Sequence, residues 1–414
     1  MTITELLEIV ANGENSFVEF KRDDVSPKDL AREVVAFLNT KGGKVLLGVD
    51  DDRTIIGIQR DESRERLEDF VMNAINRWVR PQILPSYEEV KLEDGRRVGV
   101  LGVDMGVDKP YFVNEIDREL YYVRVGSHCN LADRNAIKRM LQASGALHYE
   151  ITPVQGTKLS HLDERRIQDY FRRIRPSPNL SSSIEPAELE KILVNTSIMT
   201  QSETNGPVVS VGGLLLFGRD PHQVLKQSGI DAVAFRGKEK DYDTIERSFL
   251  NAPIVSLYSS KKTRKGLVLL EKGLLQIGLD FVKKHCAHES LRDGIRTRTW
   301  DYPEEAVREA LANALVHRDY TLTGATIELL IYSDRLEIVS PGSLPNTMTI
   351  ERMKAGNRYS RNQFLVDICR DYGIVEKMGM GVREKILASF QKLDRREPDF
   401  VAEEFSFKLV YWKE

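Results

Sequence analysis

Apolar positions along the chain repeat with two periods, and each change of period marks a boundary between elements. Leu6, Leu7 and Val10 share one side of a short helix over residues 4–11. Residues 16–21 then alternate apolar and polar, as a strand does. Ser26 caps a helix that Pro27 opens, and Leu30, Val34, Val35, Phe37 and Leu38 form its buried face. The run Asn39-Thr40-Lys41-Gly42-Gly43 ends it, with glycine supplying positive φ. Residues 44–49 read as a buried strand, 50–52 as a turn and 55–58 as the return strand. A helix is expected over 61–78, strands near 87–92 and 97–103 about Glu93-Asp94-Gly95, a strand over 121–124 and a closing helix over 133–142. Together these make one α+β domain of roughly 145 residues.

Helices over 163–174 and 185–194 then flank Arg175-Pro176-Ser177-Pro178-Asn179 and Ser181–Ser183, which read as a linker. Gly212–Phe217 and Asp231–Phe235 read as strands, and 266–284 as one long amphipathic helix. A helix runs from Pro303 to Asp319, and strands over 326–332 and 335–339 flank the turn Ser333-Asp334. A loop through Ser340-Pro341-Gly342, a basic segment over 356–362, a helix over 363–372, a glycine loop at Gly379–Gly381, a helix to 391 and a strand over 405–411 complete the pattern. The predicted organisation is a first domain over 1–147, a linker and helical connector over 148–205, and a second domain, an α/β sandwich, over 206–414.

A chain of 414 residues exceeds one ordinary core. Its net charge of −3 gives no bulk attraction to polyanions, so contact with nucleic acid must use local patches. Candidates are Lys41 with Lys44, Lys261-Lys262 with Arg264-Lys265, and Arg292, Arg296 and Arg298. No apolar run of about 18 residues predicts a membrane span, and the early acids do not fit a secretion signal. Scattered Cys129, Cys286 and Cys369 read as free thiols. A cytoplasmic protein is expected. His285, Cys286 and His288 lie too close together for a zinc site and read as a helix end.

Glu14, Glu19 and Lys21 sit at the start of the first domain, and Asp50 and Asp51 follow its buried strand. Carboxylates brought together by adjacent strands would make an oxygen-rich site for Mg²⁺ or Mn²⁺, where a metal can activate water against a phosphodiester. Lys21 would counter phosphate charge. Four blocks carry a resemblance: Glu14–Lys21, Phe37–Gly43, Leu47–Asp51 and Tyr122–Ser127. In that order they resemble the Schlafen AlbA-like domain. The resemblance implies that Glu14, Glu19 and one of Asp50 or Asp51 hold metal and cut RNA. Lys41, Lys44 and Arg124 are candidates for contact with nucleic acid, and Arg124, like Ser127, is read first as fixing the fold.

Glu309, Asn313 and His317 are spaced by four and share one face of a helix that is otherwise apolar. Buried polar groups in such a stripe must be satisfied or used. An Asn carbonyl can hold Mg²⁺, and a Glu can orient water against a γ-phosphate. The stripe resembles the N-box of GHKL ATPases. The run Glu309–Tyr320, with Leu336–Gly342, Ser360-Arg361-Asn362 and Glu376–Gly381, resembles the RecG-like C-terminal domain more closely. No GxxxxGK[S/T] loop is present, so a P-loop motor is not expected. The resemblance implies Mg²⁺ on Asn313, water at Glu309, phosphate near Gly379 and Gly381, and a lid carrying Arg358, Arg361 and Asn362. Where GHKL proteins place an adenine-reading aspartate, this chain has Ser340-Pro341-Gly342, and Asp334 lies earlier, in the hairpin turn.

Two functions are therefore expected as alternatives. One is a metal-dependent RNase or DNase controlled by ATP. The other is a regulator that binds RNA or single-stranded DNA and senses nucleotide without cutting. Both modules tend to pair, so a homo-oligomer is expected, with no membrane partner. No helix for groove reading is expected after the last strand, which weighs against a sequence-specific transcription factor and toward the enzyme.

Overall fold

The computed structural model describes residues 1–414 except 62, 117, 177–184, 203–205, 264–265, 293–294, 346–347, 358, 377–379 and 414, and side chains except also 260–266 and 289–299. The chain divides into two compact units, Met1–Leu147 and His148–Glu414.

In the first unit, helix α1 (Ile3–Asn12) starts at a capping box of Thr2 and Glu5. Strand β1 (Val18–Lys21), helix α2 (Pro27–Asn39), strand β2 (Gly43–Leu47), helix α3 (Leu67–Trp78), strands β3 (Ser86–Lys91), β4 (Arg97–Val103) and β5 (Tyr122–Val125), and helix α4 (Arg134–Ala143) follow. The main sheet has the order β1-β2-β4-β3, with β1 and β2 parallel. Val45 and Leu47 join a core with α2 and α3 on one face, while Leu46 joins α1 on the other. Burial on both faces explains the unbroken apolar run of β2. α2 presses so close to β2 that a Cβ on Gly43 would lie 2.2 Å from the Phe37 ring. The expected return strand at 55–58 is absent as a strand. A single bridge joins Val49 to Ile55, because the turn closes on Gly48 and Gly57, both at positive φ.

The second unit begins with helix α5 (Glu164–Asp169), which passes into a π-helical turn (Tyr170–Ile174), and helix α6 (Pro186–Asn195). Residues 211–217 correct one expectation: they form a helix, α7 (Val211–Phe217), capped by Ser210, and every residue in it is buried. An element apolar on all sides carries no period, so length and cap decide its type. Strands β6 (Ile230–Phe235), β7 (Thr244–Leu250), β8 (Leu257–Thr263) and β9 (Gly266–Glu271) come next. The long helix expected over 266–284 is in fact β9 followed by helix α8 (Leu274–Cys286). The division falls at Gly273, where a Cβ would lie 2.4 Å from the Ile254 carbonyl. Helix α9 (Glu304–His317), strands β10 (Ile327–Ile331) and β11 (Arg335–Pro341), helix α10 (Gln363–Asp371), and strands β12 (Asp399–Ala402) and β13 (Ser406–Trp412) build the rest.

The large sheet of this unit has the order β7-β6-β10-β11-β13-β12, with only β6 and β10 parallel. α9 lies on it, tied by Tyr411 Oη to the Ala306 carbonyl at 2.9 Å and by Ser340 Oγ to the Ala314 carbonyl at 3.1 Å. Among the described residues no helix is long and apolar enough to cross a membrane.

Candidate functional sites

β1 brings Glu19 and Lys21 to the sheet edge, and the Gly13–Asn15 turn brings Glu14 beside them. Glu14 Oε1 accepts the Phe20 N–H at 2.9 Å. Burial raises the Glu14 carboxyl above its ordinary range against that bond, and the charges of Glu19 and Asp51 add to the rise. Glu19 is committed elsewhere. Its Oε1 accepts from Lys21 Nζ, and its Oε2 accepts from Arg124 Nη1 at 2.8 Å. Burial works to lower the Lys21 ammonium, but its Glu19 hydrogen bond and the charges of Glu19, Glu33 and Glu14 hold it raised. Asp50 Oδ1 accepts the Asp51 N–H at 3.0 Å, and its other oxygen stands 3.9 Å from the Arg22 guanidinium.

The metal expectation at this place does not fit. Both Glu19 oxygens already receive cationic donors, so a divalent ion would have to displace Lys21 or Arg124. Among the described residues no group of three His, Cys, Asp or Glu is placed to hold an ion. Of the two parts expected of it, Arg124 takes the one that fixes the fold. Its side chain is 1% exposed, and its Nη2 donates to the carbonyls of Asn15, Val18 and Ser127. It holds the turn before β1 to the end of β5. Lys41 and Lys44 are exposed at the start of β2, as a surface contact requires.

One member of this network was not anticipated. Glu33 on α2 accepts from Arg124 Nη1 at 3.0 Å. Burial first, then the Glu19 charge, push its carboxyl up to about 7. The signal was present: Glu33 lies three residues after Leu30 and four before Phe37, beside the buried stripe.

The second unit contains a cavity of about 500 Å³ lined by Glu309, Asn313, His317, Ser340, Gly342, Arg361 and Gly381, with Ile338, Phe407 and Leu409 beneath. The helical stripe read from spacing therefore faces one cavity. Asn313 Nδ2 donates to Glu309 Oε1 at 3.2 Å, so the Asn313 carbonyl oxygen takes no part in that bond. Burial raises the Glu309 carboxyl, and the Lys385 charge opposes it. Gly381 runs so close that a Cβ on it would stand 1.8 Å from Glu309 Oε1. Burial, with the Arg361 charge, pushes the His317 imidazole down to about 4, so it is neutral at pH 7. Gly342 sits at φ +114°, where a Cβ would meet Arg361 and Asp319.

Two lid candidates play framework parts instead. Arg361 is buried, donating Nη1 to the His317 carbonyl at 3.2 Å and Nη2 to the Ser343 carbonyl at 2.5 Å. Asn362 is fully buried and donates to the carbonyls of Val316 and Arg318 at 2.9 and 2.8 Å, capping the end of α9. An amide occupied in this way is not open to phosphate. Arg358 and Gly379 lie outside the described residues, as do the side chains of Lys261, Lys262, Arg264, Lys265, Arg292, Arg296 and Arg298. His285 bonds Glu246 and His288 bonds Asp301, so the two rings turn to different partners.

Residues 14–133 match the family described as "Schlafen, AlbA_2", and residues 324–411 match the one described as "Putative ATP-dependent DNA helicase recG C-terminal". The first unit thus contains a stretch similar to a Schlafen-type module, and the second a stretch similar to a RecG C-terminal module. Among solved structures, the DIP2311 protein from Corynebacterium diphtheriae is similar at 20% identity, covering 99% of this chain and 80% of that chain with a TM-score of 0.44. The N-terminal domain of a "Putative ATP-dependent DNA Helicase RecG-related Protein" from Nitrosomonas europaea is similar at 21% identity, covering 32% of this chain and 93% of that chain with a TM-score of 0.24.

Proposed function

We propose that this is a nucleic-acid-binding regulator whose second unit binds ATP with Mg²⁺ and whose first unit holds RNA or single-stranded DNA without cutting it. The observation that carries the reading is the cavity, with Glu309, Asn313 and His317 on one wall and Gly381 drawn against Glu309. Asn313 offers an amide oxygen for Mg²⁺, which would offset phosphate charge beside the Glu309 carboxylate. Glu309, raised by burial and hydrogen-bonded to Asn313, is placed to orient a water molecule. In the first unit, exposed Lys41 and Lys44 supply a local cationic contact in a chain of net charge −3. The test is ATP-dependent thermal stabilisation of the wild type and Asn313→Ala with Mg²⁺ present. Ligand at 100 times its dissociation constant adds about 2.7 kcal/mol. An equal response in both proteins would overturn the Asn313 assignment.

The nuclease reading keeps one support, the electrostatic reach between Glu14 and Asp51. It requires Glu19 to release Lys21 or Arg124 when Mg²⁺ or Mn²⁺ binds. Incubation of tRNA and single-stranded DNA with Mn²⁺, with and without ATP, separates the two readings. Cleavage lost in Glu14→Ala would favour the nuclease. Self-association belongs to the same proposal and is read by light scattering with and without ATP.

A further inference from the structure

We propose that Phe17 is a stacking platform for an unpaired base, so that the first unit takes single strands in preference to duplex, an inference that rests on the nucleic-acid reading above. β1 and β2 run parallel from Val18 and Gly43, so both strands begin at one end of the sheet. Phe17 stands just before β1 at that end and is 50% exposed. Its backbone is nonetheless fixed on both sides. The N–H donates to Asn15 Oδ1 at 2.8 Å, and the carbonyl accepts the Lys44 N–H at 2.8 Å. A Cβ on Gly43 would stand 2.6 Å from that same carbonyl, so the two segments touch. The carbonyls of Asn15 and Val18 accept in turn from Arg124 Nη2 at 2.8 and 3.3 Å. A mobile loop would let such a ring fold away from water, whereas this turn holds it at the surface. An aromatic side chain presented on a fixed backbone has little further entropy to lose when a base stacks on it.

The neighbouring cations give the surface its sign. Lys41 and Lys44 flank the entry to β2, both are exposed, and among the described residues neither makes an ion pair. Glu5 feels the charge of Lys44, but its carboxylate accepts the Thr2 N–H at 2.7 Å. The carboxylates within three residues of Phe17 are also engaged: Glu14 accepts the Phe20 N–H, and Glu19 is matched by Lys21 and Arg124. A ring beside two unpaired ammonium groups suits a nucleotide chain, with a base on the ring and phosphates on the lysines. In a duplex each base is already stacked between its neighbours, so the ring gains nothing and only the phosphate contacts remain.

The test is fluorescence anisotropy with the full chain and four probes of equal length: single-stranded RNA, single-stranded DNA, the DNA duplex and an abasic single strand. Loss of one base–aromatic stack corresponds to roughly tenfold in affinity. The wild type should bind the two single strands about tenfold tighter than the abasic strand, with the duplex also weaker. Phe17→Ala should remove that advantage and leave abasic and duplex binding unchanged. Phe17→Leu, which keeps apolar bulk without a ring face, should behave as Phe17→Ala, while Phe17→Trp should keep the preference. Lys41→Gln combined with Lys44→Gln should weaken all four probes and flatten the salt dependence. Equal single-strand binding by the wild type and Phe17→Ala, or an equal loss on the abasic strand, would overturn the Phe17 role and leave the nucleic-acid reading standing. Failure of the wild type to bind any of the four would overturn both.

Discussion

The residues that decide this protein's chemistry are those whose charge is held in place by neighbours. Arg124 serves one buried and one half-buried carboxylate and three backbone carbonyls. Arg124→Ala should lower stability by about 3 kcal/mol in urea denaturation, because Glu33 loses its hydrogen-bonded cation and Glu19 keeps only Lys21. Glu33 adds a pH dependence. Its folded pKa, about 7, lies above its unfolded value, so the folded state binds the extra proton. Its contribution is full below the ordinary glutamate range and is lost as pH rises through 7. Between pH 5 and 7 the wild type should lose stability at up to about 1.4 kcal/mol per pH unit from this group, and Glu33→Gln should flatten that slope. At the other site, Gly381→Ala should abolish the ATP-dependent thermal shift. Combined with Glu309→Ala its cost to stability should shrink, since the obstructing carboxylate is gone. Spacing by four was enough to find Glu309, Asn313 and His317 in the sequence. It could not reveal that Asn362 turns inward, because that outcome depends on carbonyls at the far end of another helix.

At the scale of elements, sequence reading succeeded where period and cap agreed and failed where an unbroken apolar run erased the period. α2 has both a Ser-Pro start and an apolar stripe, and it was placed closely. α7 is buried all round, and β9 carries four consecutive apolar residues, so neither offered a contrast between faces. Close approach substitutes for pattern in these places. A Cβ on Gly213 would lie 2.1 Å from the Ile198 carbonyl, a backbone atom with little freedom to retreat. Gly213→Ala should therefore destabilise by about 1–3 kcal/mol even though alanine favours helix, as measured by denaturant midpoint.

At the scale of the whole molecule, the chain has two compact units with separate cores. Scanning calorimetry of the full chain should resolve two transitions, and Mg²⁺ with ATP should raise only the one belonging to residues 148–414. A single transition that moves as one would mean that the units unfold together. The six-stranded sheet also imposes an order of events. Its latest strand in the chain, β13, sits inside the sheet between β11 and β12 and supplies Phe407 and Leu409 to the cavity floor. A polypeptide emerging from the ribosome therefore displays the helix with its polar stripe long before the floor beneath it exists. Throughout that interval the first unit has all its strands, so on the proposed function its nucleic-acid contact would precede the nucleotide cavity during synthesis.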